Sequence, residues 1–330
     1  MQIERIRAMF DTPPILGFKC TDQEGLNIWR RQLRAKMKDL IPVNQSRALL
    51  PVSVSPIDHK CLDAFAYTFK GFADLVIRAV FLKPRGNGPY PFVLVCPGRF
   101  SDYRKTAGLL PVKYPDENIA EQLAIGGMAT LTLDYGFSSN IDPAVLNGRD
   151  ETNLFAISAM MLGYSPLALI TLDFLGALFW AETMNDIDTR KMALFGRSLG
   201  GSIVVALSLL YDKPLVVALS SFLGNFKSIF TENFMAGGVM SLMGVHTYAD
   251  LPDLVAAISP NPLHLQHGEN DPFYPIHETL AGVEVKKKSY ALCGCSNDFD
   301  FHMTDTGHGT DVRYVFDFFN KYLMRRQCAV

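Results

Sequence analysis

The sequence predicts an α/β fold, in which a mostly parallel central sheet is covered by helices on both faces. The first observation is that apolar runs of strand length alternate with helix-like stretches along most of the chain. The second is that several runs, such as FVLVC at 92–96, are apolar throughout, which is typical of strands buried on both faces. With 330 residues, 48% of them hydrophobic, the chain can bury a core large enough for such a sheet.

Residues 1–50 are predicted to form a polar, helical N-terminal extension, and residues 51–330 the main domain. The stretch Leu26–Leu40 is strongly amphipathic and basic on one side, and we expect it to pack on the flank of the domain rather than on a membrane. The first residues interleave acids and bases without the apolar segment of a signal peptide. A cytoplasmic protein is therefore expected.

The early strands of the domain are predicted near 62–70, 74–83, 91–97 and 129–135. The apolar stretch Leu162–Trp180 has the length of a membrane span, but the charge of Asp173 near its middle would make a span costly. We expect a buried helix there, with Asp173 as a helix-end or packing partner rather than a catalytic acid.

Two stretches, 137–165 and 222–260, interrupt the alternation of strands and helices. Insertions that follow the carboxyl ends of strands commonly cover a pocket, so both are predicted to be cap insertions of the domain. The second is rich in Met and Gly, which predicts an apolar and adaptable cap. The side chains expected to give it that character are Phe230, Phe234, Met235, Met240 and Met243.

A motif for a nucleophilic serine, Gly196-Arg197-Ser198-Leu199-Gly200, separates a strand-like run from a helix-like stretch. The turn between them is so tight that both flanking residues must be small, and Gly196 and Gly200 meet that need. It lifts the Ser198 hydroxyl clear of the sheet and points the Leu199 N–H, at a helix N-terminus, toward a developing oxyanion. The motif therefore predicts Ser198 as the nucleophile and the Leu199 N–H as an oxyanion donor.

A serine hydroxyl needs a base, and the base needs a group that orients it. Asp271 follows a strand-like segment, and His308 lies between two glycines just before a predicted helix at 311–324. We predict His308 as the base and Asp271 as its partner. The alternatives are a turn-forming Asp271 before Pro272 and a solvent-facing loop histidine at 308.

Three other histidines compete with His308. His264 and His267 are expected on or beside a strand, where a histidine bonded at the periphery of the core is the simpler interpretation. His302 lies in an alternating acidic stretch, 298–302, which is typical of an edge strand with its polar residues in water. His302 is therefore kept as the competing base.

The second oxyanion donor is predicted in the loop that follows the strand at 91–97. The backbone N–H of Arg99, or less favourably that of Phe100, would face the Leu199 N–H across the site. Cys96, at the end of that strand, has apolar neighbours and no histidine close to it in the sequence. We expect a buried, inert thiol there rather than a nucleophile.

Five segments together resemble the α/β-hydrolase superfamily in their order and approximate spacing: GPYPFVLVCPG, ATLTLDYG, MALFGRSLGG, HLQHGENDPFYPI and TGHGTD. Within it the chain most resembles the dienelactone hydrolase and acetylxylan esterase-like group, over about residues 55–325. The resemblance implies that Ser198, His308 and Asp271 form a catalytic triad, and that the N–H groups of Leu199 and Arg99 form the oxyanion hole. The chain departs from the group at Ser198, where dienelactone hydrolases proper carry cysteine, and at Pro97, where related enzymes often carry histidine.

These residues predict a serine hydrolase that cleaves a carboxylic ester or lactone through an acyl-enzyme. The alternatives on the same fold are a peptidase, a thioesterase, a natural-product lyase or cyclase, and a catalytically silent ligand-binding protein. Arg197, beside the nucleophile, could bind a substrate carboxylate or form a structural ion pair.

Composition argues against several partners. The chain has 31 Lys and Arg against 33 Asp and Glu, which leaves no strong charge for nucleic acid or an anionic membrane. Its six cysteines lack zinc-site spacing, and Cys293 and Cys295 are expected to be too close for an ordinary disulfide. We expect no cofactor and no metal, and a small-molecule ester or lactone as partner. A monomer and a homodimer are both left open.

Overall fold

A computed structural model describes residues 2–137, 151–232 and 238–324. The strands are β1 Leu50–Ile57, β2 Leu62–Lys70, β3 Val76–Pro84, β4 Tyr90–Cys96, β5 Ala129–Leu133, β6 Ile187–Arg197, β7 Val216–Ser220, β8 Leu263–Gly268 and β9 Phe299–Thr304. The α-helices are α1 Gln2–Met9, α2 Gln23–Leu40, α3 Tyr103–Thr106, α4 Ile119–Ile125, α5 Glu151–Met161, α6 Pro166–Ala181, α7 Leu199–Leu210, α8 Val245–Tyr248, α9 Leu251–Ala256, α10 Ile276–Leu292 and α11 Val312–Phe319. Shorter 3₁₀ and π-helical turns are Val43–Gln45, Phe72–Asp74, Ser228–Glu232, Gly238–Met240, Ser296–Asp298 and Asn320–Met324.

The strands form one sheet in the order β1-β2-β3-β5-β4-β6-β7-β8-β9. The pairs among β1, β2, β3 and β5 are antiparallel, whereas every pair from β5 through β4 to β9 is parallel. The carboxyl ends of β4, β6, β7, β8 and β9 therefore meet at one edge of the sheet. This topology confirms the predicted mostly parallel α/β fold.

The core fills both faces of the sheet. Along β4, Phe92 and Leu94 pack in one cluster with α2, α6 and α7, and Val93 and Val95 pack in another with α4 and α11. Alternate side chains of a strand point to opposite faces, so a strand buried on both faces must be apolar at every position. The continuous apolar run at 92–96 has this physical origin.

Helix α2 packs on the flank of the sheet domain, as its amphipathic pattern predicts. The Asp22 side chain caps its N-terminus by accepting a hydrogen bond from the Gly25 N–H at 2.7 Å. On its basic side, the Arg34 guanidinium donates to the carbonyls of Ser208 and Tyr211, both at 2.9 Å, at the end of α7. A cation is favourable there because helix carboxyl ends carry unpaired carbonyls.

Helix α6 is mostly buried in the core, which agrees with the interpretation of its apolar sequence as a core helix. Asp173 accepts a hydrogen bond from the Phe72 N–H at 2.8 Å, and burial raises the pKa of this carboxyl to about 7. Asp173 is thus a packing partner, as predicted. Among the described residues, no single helix is long and apolar enough to cross a membrane; α5 and α6 reach that length only as a pair bent by 96°.

Parts of the two predicted cap stretches, 138–150 and 233–237, lie outside the described residues, together with Phe234 and Met235. The described parts hold α5, α8, α9 and two short turns. The division into an extension, a domain and caps stays a prediction.

The structure contradicts the expectation for Cys293 and Cys295, whose sulfurs form a disulfide. Gly294 adopts a left-handed conformation with φ of +70° at the end of α10, so the chain turns back and brings the two side chains together. Spacing alone could not show this turn. Cys96 is fully buried, and burial raises the pKa of its thiol, as expected of an inert cysteine.

Candidate active site

The predicted nucleophile lies on a strained turn between β6 and α7. Ser198 has φ of +53° and ψ of −118°, a conformation that residues with a side chain rarely adopt. The turn is held because the Ser198 N–H donates to the Ser220 carbonyl at 3.2 Å and the Gly201 N–H donates to the Ser198 carbonyl at 2.8 Å. Strain of this kind is typical of functional turns.

Both flanking glycines are required by close backbone contacts. A methyl group on Gly200 would overlap the Cys96 carbonyl oxygen of β4, and one on Gly196 would lie 2.5 Å from the Gly200 carbonyl oxygen. The neighbouring strand and the helix thus press against the turn from two sides, as the motif predicts.

The predicted base and its partner are in contact. His308 Nδ1 lies 2.9 Å from Asp271 Oδ2, so its N–H donates a hydrogen bond to the carboxylate, and Nε2 is the ring nitrogen that can accept a proton. Asp271 Oδ1 accepts a hydrogen bond from the Phe273 N–H at 2.9 Å. Burial tends to raise the pKa of Asp271, but the His308 contact and this backbone hydrogen bond outweigh it and hold the pKa below its ordinary value. Asp271 therefore stays ionised and orients the imidazole.

Tyr274 is a site residue that the sequence analysis missed. Its ring stacks on His308, with centroids 5.8 Å apart and planes 11° apart, and Tyr274 lines the same cavity as Ser198. Burial and the nearby Asp271 charge raise the pKa of Tyr274, so its hydroxyl stays neutral. The Phe273 ring also lines the site and meets His308 edge-on, with centroids 4.7 Å apart.

Ser198, His308 and the predicted oxyanion loop face one space, a cavity of about 1270 Å³ that we call the Ser198 cavity. Its lining includes Arg99 and Phe100 after β4 and Tyr274 after β8. The structure therefore brings together the predicted nucleophile, base and oxyanion loop at the carboxyl edge of the sheet, where ligands of such folds bind.

The competing histidines lie elsewhere. His302 and His264 do not line the Ser198 cavity; they flank Asp300, with His264 Nδ1 at 2.9 Å and His302 Nε2 at 3.1 Å from its two oxygens. Their ligand atoms lie within 4.8 Å of one another, so this group has the composition to hold a metal ion. His267 is buried and lies 3.1 Å from the Tyr274 carbonyl through Nε2.

Arg197 forms a structural ion pair in this structure. Its guanidinium lies 2.5 Å from Asp116 Oδ2 and donates to Ser101 Oγ at 3.0 Å. The same Asp116 oxygen accepts the Thr310 N–H at 3.0 Å, two residues after His308. Asp116 thus ties the residue before the nucleophile to the loop that carries the base.

The His308 loop has a second anchor on β7. The hydroxyls of Ser220 and Ser221 both donate to the Gly309 carbonyl at 2.9 Å. Two attachments, at Gly309 and at Thr310, therefore hold the chain directly after His308 and fix the position of the imidazole.

Replacing Asp116 with asparagine is expected to lower kcat by about ten- to hundredfold and to change KM little. The substitution removes the charge that holds Arg197 and weakens the contact to Thr310, and small displacements of catalytic groups cost rates of this order. Steady-state kinetics on a soluble ester would measure it. The matched control is Asp188→Asn, because Asp188 pairs with the exposed Arg190 on the surface; an unchanged kcat for Asp116→Asn would contradict the positioning role.

No protein-family model matches the sequence. The chain is 29% identical over 148 residues to an uncharacterized 31.7 kDa protein of the traX-finO intergenic region of Escherichia coli; the match covers 44% of this chain and 38% of the relative. The chain thus spans less than half the length of this relative.

Solved structures of proteins named as esterases share the fold of this chain, which is that of the α/β-hydrolases. A candidate acetyl xylan esterase of Bacteroides fragilis superposes with a TM-score of 0.79 at 18% identity, over 92% of this chain and 82% of that one. A glucuronoyl esterase of Teredinibacter turnerae superposes with a TM-score of 0.64 at 15% identity, over 96% of this chain and 90% of that one. Acetyl Xylan Esterase 1 of a Thermoanaerobacterium species superposes with a TM-score of 0.53 at 14% identity, over 98% of each chain.

The predicted likeness to the acetylxylan esterase-like group is thereby confirmed at the level of the fold. At these identities the chemistry must be argued from the site itself.

Proposed function

We propose that this protein is a serine hydrolase that cleaves a carboxylic ester or lactone through an acyl-enzyme. The observation that carries the proposal is the strained Ser198 turn facing the same cavity as a histidine bonded to a buried carboxylate. The structural neighbours named as esterases support it, because they share this fold.

In the first half-reaction the Ser198 oxygen attacks the ester carbonyl while His308 Nε2 takes the serine proton. Ionised Asp271 stabilises the imidazolium that forms. The backbone N–H groups of Leu199 and Arg99 receive the oxyanion, an interaction whose loss typically costs about 3 kcal/mol of transition-state stabilisation. His308 then gives its proton to the departing alcohol, and the acyl group stays on Ser198.

In the second half-reaction His308 takes a proton from water, which attacks the acyl-enzyme, and Ser198 recovers its proton as the acid leaves. For a lactone, acid and alcohol leave as one molecule. This cycle uses only groups of the chain and water. We further propose a small-molecule substrate and a cytoplasmic address.

The test is covalent labelling with a small fluorophosphonate, followed by intact-mass measurement and peptide mapping. We expect a single adduct on Ser198, and none on a folded Ser198→Ala variant. An adduct at another residue, or no adduct on folded wild-type protein, would overturn the assignment. Hydrolysis rates for an ester, a thioester and an amide that share one acyl group then separate an esterase from a thioesterase or peptidase.

A further inference from the structure

A second cavity, of about 790 Å³, lies beneath α1, and we call it the α1 cavity. Its lining is largely apolar and comes mainly from α1 and the residues that follow it, from α7 and from the 222–254 stretch. Examples of the lining side chains are Ile6, Val205, Phe222, Phe226 and Leu254. The volume lies in the range of pockets that hold small molecules, and the lining has the apolar character of such pockets.

The α1 cavity adjoins the Ser198 cavity. Met240 lines both of them, and Ile229 lines the Ser198 cavity while the next residue, Phe230, lines the α1 cavity. On helix α7, Ser202 lies one helical turn after Ser198 and lines the α1 cavity. A flexible methionine at the junction can make way for a ligand that reaches from one cavity into the other.

Helix α1 covers the cavity without being buried in the protein. No residue of this helix is buried, and Ile3, Ile6 and Met9 remain 45%, 46% and 67% exposed although they line the cavity. Polar contacts hold the helix in place: the Arg7 guanidinium donates to the Thr231 carbonyl at 2.8 Å, and Asp11 pairs with Lys227 at 2.6 Å. The apolar face of α1 is thus available to an apolar ligand.

The proposed mechanism decides whether the acyl part or the alcohol part of an ester would enter the α1 cavity. His308 must protonate the departing alcohol, so the alcohol lies on the His308 side of Ser198. Among the described residues, none from the segments 271–274 and 306–313, which surround His308, lines the α1 cavity. The acyl group is therefore the part that points toward Met240.

We propose that the α1 cavity receives the apolar acyl chain of the substrate, so that the protein prefers esters of medium-chain acids to acetyl esters. This inference rests on the proposed function and adds the substrate class. Each methylene taken out of water is worth about a fourfold gain in affinity, so a chain seated in this cavity should change rates measurably.

The test compares p-nitrophenyl acetate, butyrate, octanoate and dodecanoate in the wild type and two matched variants. Ile6→Asp places a charge in the cavity on an exposed helix, so folding is preserved. Ile28→Asp makes the same change at an isoleucine of α2 that is 41% exposed and outside the cavity lining.

We expect kcat/KM of the wild type to rise at least about tenfold from acetate to octanoate. Ile6→Asp should lower the octanoate value about tenfold, mainly through KM, and leave acetate unchanged, while Ile28→Asp changes neither. Equal effects of Ile6→Asp on both esters, or no chain-length preference, would overturn the proposal. Longer alkyl acetates differ only in the alcohol. If Ile6→Asp lowered kcat/KM for them, the assignment of the α1 cavity to the acyl chain would be overturned.

Direct binding separates this inference from the proposed function. Titration of octanoate into the Ser198→Ala protein by calorimetry should give binding that Ile6→Asp weakens about tenfold. If octanoate binds in this way but the wild-type protein hydrolyses no ester, the proposed function is wrong and the α1 cavity is an apolar ligand site. Ester hydrolysis without octanoate binding would defeat the acyl-chain inference alone.

Discussion

Replacing Ser198 with alanine is expected to lower kcat/KM for ester hydrolysis by about 10⁴-fold or more, with an unchanged thermal midpoint. Alanine keeps the Cβ atom that the turn already accommodates at φ of +53°, and the hydrogen bonds that hold the turn are made by the backbone. Only the attacking oxygen is lost. Initial rates with a p-nitrophenyl ester, together with thermal unfolding, measure both quantities.

The control is Ser46→Ala, which removes a hydroxyl whose partner is the Leu172 carbonyl, at 3.3 Å, outside the Ser198 cavity. His308→Ala should cost about as much as Ser198→Ala, and the double variant should be no worse than either, because the residues act as one unit. Retained hydrolysis by the Ser198→Ala protein would remove Ser198 from the mechanism.

Replacing Gly200 with alanine is expected to lower the free energy of unfolding by about 3 kcal/mol and activity by more than a hundredfold. The added methyl group would overlap the backbone carbonyl of Cys96, which β4 holds in the centre of the sheet and which no side-chain rotation can relieve. The first turn of α7 must move away, and it takes Ser198 and the Leu199 N–H with it.

Chemical denaturation and steady-state kinetics measure these two effects. Gly17→Ala is the matched control, because its methyl group would meet the Pro14 carbonyl oxygen at 3.4 Å, an ordinary contact. A Gly200→Ala protein with the stability and activity of Gly17→Ala would show that the turn is not as tightly packed as the structure has it.

Buried strands were the part of the fold most readily predicted from sequence. The strand predicted at 91–97 is observed at Tyr90–Cys96, because its continuous apolar run reflects burial on both faces of the sheet. Strand β1 escaped prediction since it is exposed along most of its length and contains two prolines, so it carries no burial pattern. The left-handed turn at Gly294 was missed for a related reason: a single glycine does not reveal which way the chain turns.

The residues of the candidate site likewise divide into those that a local sequence pattern could predict and those that it could not. Ser198, Asp271 and His308 stand next to local signals, namely small residues, strand ends and loops, and the structure places Ser198 and His308 in one cavity with Asp271 behind the histidine. Asp116 and Tyr274 carry no such signal. Asp116 reaches the site only through tertiary contacts, since it lies 81 positions before Arg197 in the chain. Tyr274 follows Asp271 closely, but no local pattern shows that its ring stacks on His308.

Strand β1 also limits how copies of this chain can associate. It is the outermost strand beside β2, and its exposed backbone is where another strand would add to the sheet. Pro51 and Pro56 have no N–H to offer, and a bulge between Pro51 and Ser53 breaks the regular spacing of the remaining donors and acceptors. Leu50, Val52 and Val54 can thus stay exposed while the addition of a second copy along β1 is disfavoured.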